Sequence, residues 1–292
     1  PHLADESAST LTHRTRATKT TAFALLSRVY LYKGSYSNSV SDLQLAADYA
    51  DSVLNAPKGY TFSTSYTHHT SWMFPLNPTG EESNTSNYSD EVILLSPCYS
   101  NVNRYANGLG SAFYNKVNFF VEQNFATLYE SGDRRGYIEP SQNTPSLIWQ
   151  GSQTSNPNNL TSYKYNNGSG YNNVLYIRVS EVMLNKAEAL ARVEGVNSES
   201  IKLLNDIRKR AFSTKPADYT EADFSNSQEL VDRVLLERMK ELAFEGHTRF
   251  DLIRSGKKLR DESLSAEKMI LPVPDYEIRI SYGAIVQNNG YR

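Results

Sequence analysis

Two stretches of helical periodicity, held apart by a long stretch that has none, constrain this chain more than any other feature. In the first, from about Arg16 to Ala56, Ala22, Leu25, Leu26, Val29 and Tyr32 recur at helical spacing and Gly34 reads as a stop. A second helix follows with Leu43, Ala46, Ala47, Ala50, Val53 and Leu54, ended by Pro57 and Gly59. Its alanines let a neighbour approach closely, so residues 16–56 form a helical hairpin. The pattern returns from residue 175: Val179, Val182, Met183, Ala187, Leu190 and Ala191, a break at Gly195, then Ile201, Leu204, Ile207 and Ala211. A helix over about Ser227–Phe244 and a short one over Thr248–Arg254 complete the region 175–260. Two similar hairpins point to a mainly α chain of helical-repeat type. The tail, 261–292, reads as extended, and it contains Leu271-Pro272-Val273-Pro274, which cannot be helical. We expect one domain over residues 1–292.

Residues 57–174 show no sustained period and read as a long, irregular, loop-rich insertion. Short β-like runs occur at Glu91–Leu95 and Val117–Phe120. Such a length of loop within a compact domain is usually functional. The composition of this stretch fits that idea. It holds both tryptophans, Trp72 and Trp149, and eleven of the 20 tyrosines lie within residues 60–175, among many Asn, Ser, Thr and Gly. Tyr and Trp give rigid contact area with a polar tip, suited to an adaptable binding surface. The alternative is that these rings form a small core under the loops. The strongest candidates for an exposed ligand-binding set are Trp72 with Tyr66 and Phe74, then Tyr99, Arg104 and Tyr105, then Trp149.

Other chemistries find little support. The formal net charge of -2 lacks the basic footprint that nucleic acid demands. Cys98 is the single cysteine, so no intrachain disulfide and no cysteine-based zinc site are expected. His68-His69 lacks a third ligand at metal spacing, and no metal or cofactor is expected. No transmembrane span or signal peptide is visible, and the polar start at Pro1 reads as a mature fragment. No nucleophile elbow or phosphate loop occurs. At i, i+4 and i+8, Glu237, Glu241 and Glu245 share a helix face. A glycosidase needs two carboxylates across a cleft. Three on one helix, with Arg238 and Arg249 nearby, read as a salt-bridge network fastening this helix to the next.

Several segments, in this order, resemble the SusD/RagB family of Bacteroidetes. They are Arg16-Ala17-Thr18-Lys19 leading to Arg28–Tyr32; Asp133-Arg134-Arg135, preceded by Phe125; and Tyr176–Leu184 with Ala187-Glu188-Ala189. Leu204–Ala211, Glu237–His247 continuing to Phe250–Arg254, and Leu271–Pro274 with Gln287–Tyr291 complete the set. The match is to the family's C-terminal portion. The resemblance implies a tetratricopeptide-like helical scaffold with an irregular insertion and no catalysis. It implies capture of oligosaccharides, or of peptides in RagB-type members, and docking on a SusC-like TonB-dependent transporter. It also implies a surface-exposed position at the outer membrane, lipid-anchored through an N-terminal segment outside this sequence. From the residues alone, a helical-repeat scaffold binding a protein partner and a glycan-cleaving enzyme stay open as alternatives.

Overall fold

In a computed structural model of the chain, the residues described are 14–56, 60–64, 90–96, 120–136, 148–150, 160–162, 164, 173–259 and 265–291. The chain divides into two compact units, Pro1–Gly246 and His247–Arg292.

The first unit is built on helices. Helix α1 (Lys19–Ser37) starts at Thr18, whose hydroxyl accepts the Thr21 amide at 3.2 Å. It ends at Asn38, which takes the left-handed conformation (φ 54°). Helix α2 (Val40–Leu54) follows at once, capped by Ser39. The two pack against each other as a hairpin. On α2 the predicted stripe is the buried one, with Leu43, Ala46, Ala47, Ala50 and Val53 all in the core.

On α1 the expectation fails twice. The buried side is Thr21, Ala24, Ser27, Leu31, Gly34 and Ser35, whereas Val29 is 55% exposed. Gly34 does not stop the helix but lies inside it. A Cβ there would sit 2.8 Å from Leu43 Cγ and 2.9 Å from Leu43 N, so the glycine lets α2 come against α1. Close approach of two backbones selected small residues on this face, and the larger apolar residues were left beside it.

Strand β1 (Val92–Ser96) overlaps the predicted β-like run, one residue further along. A short helix, α3 (Gln123–Ala126), strands β2 (Ile148–Gln150) and β3 (Leu160–Ser162), and strand β4 (Val174–Arg178) come next. β1 pairs antiparallel with β4, and β2 with β3, with Trp149 opposite Thr161. The backbone of Val121 bridges to Leu160, and that of Asp133 to Phe212.

β4 runs without a linker into α4 (Val179–Glu194), the central helix, which packs against α1, α2, α5 (Ser198–Arg210) and α6 (Ser227–Glu241). Every residue of α4 from Val179 to Ala191 is buried. A helix covered on all sides must pair its polar groups inside the protein. Glu181 takes Arg28 at 2.5 Å, Asn185 takes Arg238 at 2.7 Å, and Lys186 donates to Asp51 at 2.6 Å. Asn197 caps α5 and Asn226 caps α6. The hairpins α1–α2 and α4–α5 make a mainly α, tetratricopeptide-like scaffold.

Helix α6 stops at Glu241, three residues short of the predicted end. Phe244, with φ at 65°, turns the chain away. Glu245 therefore stands on a turn rather than on the helix face of Glu237 and Glu241.

The second unit carries α7 (Thr248–Arg254), as predicted, and α8 (Asp275–Ile280), a helix within the tail expected to be extended. A 3-10 turn covers Ala266–Met269. Leu271–Pro274 is extended. Its prolines cannot donate to a ladder, and side-chain amides substitute. Gln287 accepts the Val273 amide at 2.8 Å and donates to the Val273 carbonyl at 2.9 Å, and Asn288 donates to Leu271 O at 2.7 Å.

Candidate functional site

Of the predicted binding residues, Tyr66, Trp72, Phe74, Tyr99, Arg104 and Tyr105 lie outside the described residues, as do Cys98, His68 and His69. Trp149 is in β2, at a known register, with its side chain outside the description. The described structure supplies the stems from which these stretches depart and the means by which the stems are held.

The stems meet at a buried charged hub around the end of α6. Glu241 is its centre. It accepts Arg178 Nη1 at 2.7 Å and Arg210 Nη2 at 2.5 Å on one oxygen, and Arg135 Nη1 at 3.0 Å on the other. Arg135 forks onto Asp133 at 3.0 and 2.7 Å and lies 2.6 Å from Glu237. Arg178 reaches on to both oxygens of Glu245, at 2.9 Å each, and to the Glu241 carbonyl at 2.8 Å. Glu91 accepts the Ser180 hydroxyl at 2.8 Å and pairs with Arg210. Lys164 donates to Ala243 O at 2.8 Å, to Glu241 O at 3.2 Å and to Glu245 Oε1. With Lys240 on Glu237 at 3.1 Å, five cations face five carboxylates.

Such a cluster survives burial because each charge meets an opposite one, most of them through hydrogen bonds, while Glu237 Oε1 lies 2.6 Å from Arg135 without a hydrogen bond. Burial pushes the Glu245 carboxyl up, but Arg178 and Lys164 together outweigh it and hold it at about 2. Burial brings the Lys164 ammonium down to about 8, with Arg178 adding to the shift and Glu245 opposing it. The difference between the partners is physical: Glu245 faces two cations, whereas Lys164 faces one cation besides its carboxylates. Burial works against the charge on Arg135 and Arg178 too, but their carboxylates more than compensate and raise both above the usual range.

The hub grips the chain beside each predicted binding stretch. The segment 60–64, just before Tyr66 and Trp72, is held by Ser63 N on Glu91 at 2.9 Å and by Phe62, whose ring lies 4.3 Å under the Arg210 guanidinium. β1, which leads towards Tyr99 and Arg104, follows Glu91 directly and pairs with the strand that ends in Arg178. β3, paired with the strand of Trp149, is followed two residues later by Lys164.

Both Glu241 oxygens are engaged by guanidinium groups, and the side chain is fully buried. Among the described residues, no group of three His, Cys, Asp or Glu side chains is arranged to hold a metal ion. No helix among them is long and apolar enough to cross a membrane. The network predicted for Glu237, Glu241 and Glu245 exists, but its partners are corrected. It ties loops, strands and α5 to α6. Arg238 turns the other way, to Asn185, and Arg249 donates to Met269 O within the second unit. Lys164 and Glu91 were missed. Glu91 has a signal, an acid directly before Val92-Ile93-Leu94-Leu95. Lys164 has none, since its flanks are polar and aromatic.

The architecture is that of a rigid helical-repeat scaffold bearing anchored connecting segments. The chain belongs to the SusD family, whose profile matches residues 109–265. Among solved structures, it is similar to a SusD superfamily protein from Bacteroides vulgatus (25% identity, TM-score 0.71), covering 99% of this chain and 62% of that one. It is also similar to a SusD superfamily protein from Parabacteroides distasonis (20% identity, TM-score 0.70), covering 96% of this chain and 64% of the other. A third is surface glycan-binding protein A from Bacteroides thetaiotaomicron in complex with laminarihexaose (21% identity, TM-score 0.66), covering 97% and 66%. The chain thus spans less than two thirds of these structures' own lengths. No curated protein matches its sequence.

Proposed function

We propose that this protein captures oligosaccharides at the cell surface, without cleaving them, and passes them to a SusC-like TonB-dependent transporter. The observation that carries the reading is membership of the SusD family together with likeness to a surface glycan-binding protein solved with laminarihexaose. The anchored stems support it, because a weak ligand is best met by segments whose ordering cost has been met in advance. The reading puts the protein at the outer face of the outer membrane, held by a lipid anchor, with Trp72 and the neighbouring Tyr66, Phe74, Tyr99, Arg104 and Tyr105 stacking on sugar faces and pairing with hydroxyls.

The test is a glycan-array screen with laminarihexaose as the first probe and a peptide library as control, followed by calorimetry on wild type and Trp72→Ala. Stacking on a shallow site gives a Kd of micromolar to millimolar, about -8 to -4 kcal/mol. Trp72→Ala is expected to weaken binding about tenfold, close to the ~1–3 kcal/mol that one stacked aromatic contributes. Binding confined to the peptide library would select the RagB-type alternative. New reducing ends on incubation with the bound glycan would refute non-catalytic capture.

A further inference from the structure

The β2–β3 ribbon poses a problem that the hub answers. Each strand is three residues long, and a two-stranded ribbon of that size is not stable alone. Its attachments to the helical scaffold are therefore what fix its place. One is apolar: Leu160 joins Val121, Phe125, Tyr129 and Phe244 in a small cluster, and Val121 N donates to Leu160 O at 2.7 Å. A second is Lys164. Its Nζ carries three protons and has three acceptors, Glu241 O, Ala243 O and Glu245 Oε1. The first is the carbonyl of the last residue of α6 and the second lies in the turn just after it, where the helix leaves carbonyls unpaired and its dipole favours a cation. The side chain is fully buried. The Lys164 amide also donates to Ser162 Oγ at 3.3 Å, which ties the lysine's backbone to β3, and Ser162 and Thr161 are themselves buried. The charged groups around it are Glu241 at the end of α6, Glu245 in the turn beyond it and Arg178 of β4.

We propose that Lys164 is a positioning residue, whose ammonium seats the β2–β3 ribbon, and with it Trp149, on the C-terminal end of α6. A lysine is required in place of an apolar residue because carbonyls and a carboxylate await it there; a methionine of the same reach takes this donor from Ala243 O and leaves Glu241 O and Glu245 Oε1 to Arg178. The apolar cluster remains in such a variant, so the ribbon loosens locally while the scaffold persists. The consequence for ligand capture rests on the function proposed above; the seating of the ribbon does not.

Hydrogen exchange on the full chain tests it, using Lys164→Cys in a Cys98→Ser background. The expected result is exchange about tenfold faster at the backbone amides of 148–150 and 160–162, with α4 and α5 protected as in the parent, the mark of a local rather than global opening. Alkylation of the introduced thiol with 2-bromoethylamine restores an ammonium at lysine-like reach and is expected to restore protection. Lys164→Met is expected to behave as the unalkylated cysteine variant. Unchanged ribbon protection, loss of α4 protection along with the ribbon, or failure of the alkylated protein to recover would each overturn the proposal. No glycan enters these measurements, so a protein that binds none still leaves the positioning role decided.

Discussion

The first unit and the second solve the same problem with opposite materials. Each must hold extended or irregular backbone that no large sheet supports. The first uses a buried hub of matched charges, in which Glu241 alone receives three guanidinium groups. The second uses neutral amides near the surface, with Gln287 clasping Val273 and Asn288 holding Leu271. None of the residues from 267 to 291 is buried. The contrast teaches that cost follows solvent. In the interior an unmatched partner cannot recover its hydration, whereas at the surface water replaces what is lost.

The largest expected effect is at the centre of the hub. Glu241→Ala removes the partner that Arg135, Arg178 and Arg210 share and is expected to cost about 3–5 kcal/mol, as for other broken buried pairs. Chemical denaturation measures it, and a loss under about 1 kcal/mol would show that water enters the hub and the contrast is false. Acid tests the same point without mutation. Glu245 titrates near 2 when folded, against an ordinary value of 4.5. A depressed carboxyl gives stability that is full above 4.5 and is lost as pH falls towards 2. The loss from this group is roughly 3 kcal/mol, and Glu245→Gln should flatten that part of the stability–pH curve. A curve of the same slope in the variant would remove Glu245 from the account. The smallest effect belongs to the second unit: Gln287→Ala is expected to lower stability by about 1 kcal/mol or less. A cost comparable to that of Glu241→Ala would mean that the clasp is as dry as the hub.

Sequence patterning reached what depends on local periodicity. The stripe of α2, the bounds of α7, the extended Leu271–Pro274 and the run at β1 all follow from residue spacing or from proline geometry. It misplaced what depends on a neighbour. Gly34 has the same look at a helix end as inside a tight crossing, and only Leu43 decides between them. The buried side of α1 is composed of small and hydroxylated residues, which carry little hydrophobic signal. The end of α6 depends on Phe244 adopting a positive φ, a choice foreign to its type. At the hub, the carboxylates were visible as a spaced series, but their partners come from residues far along the chain, and no spacing rule connects Lys164 or Arg135 to Glu241.

The direct passage of β4 into α4 has a mechanical consequence. Arg178 closes the strand and Val179 opens the helix, so no residue between them is left to act as a hinge. The β1–β4 ribbon and the central helix must translate and rotate as one body, with Arg178 riveting the joint to Glu241 and Glu245. Force applied to the far end of the ribbon is therefore borne by the middle of the molecule instead of being spent in bending a loop.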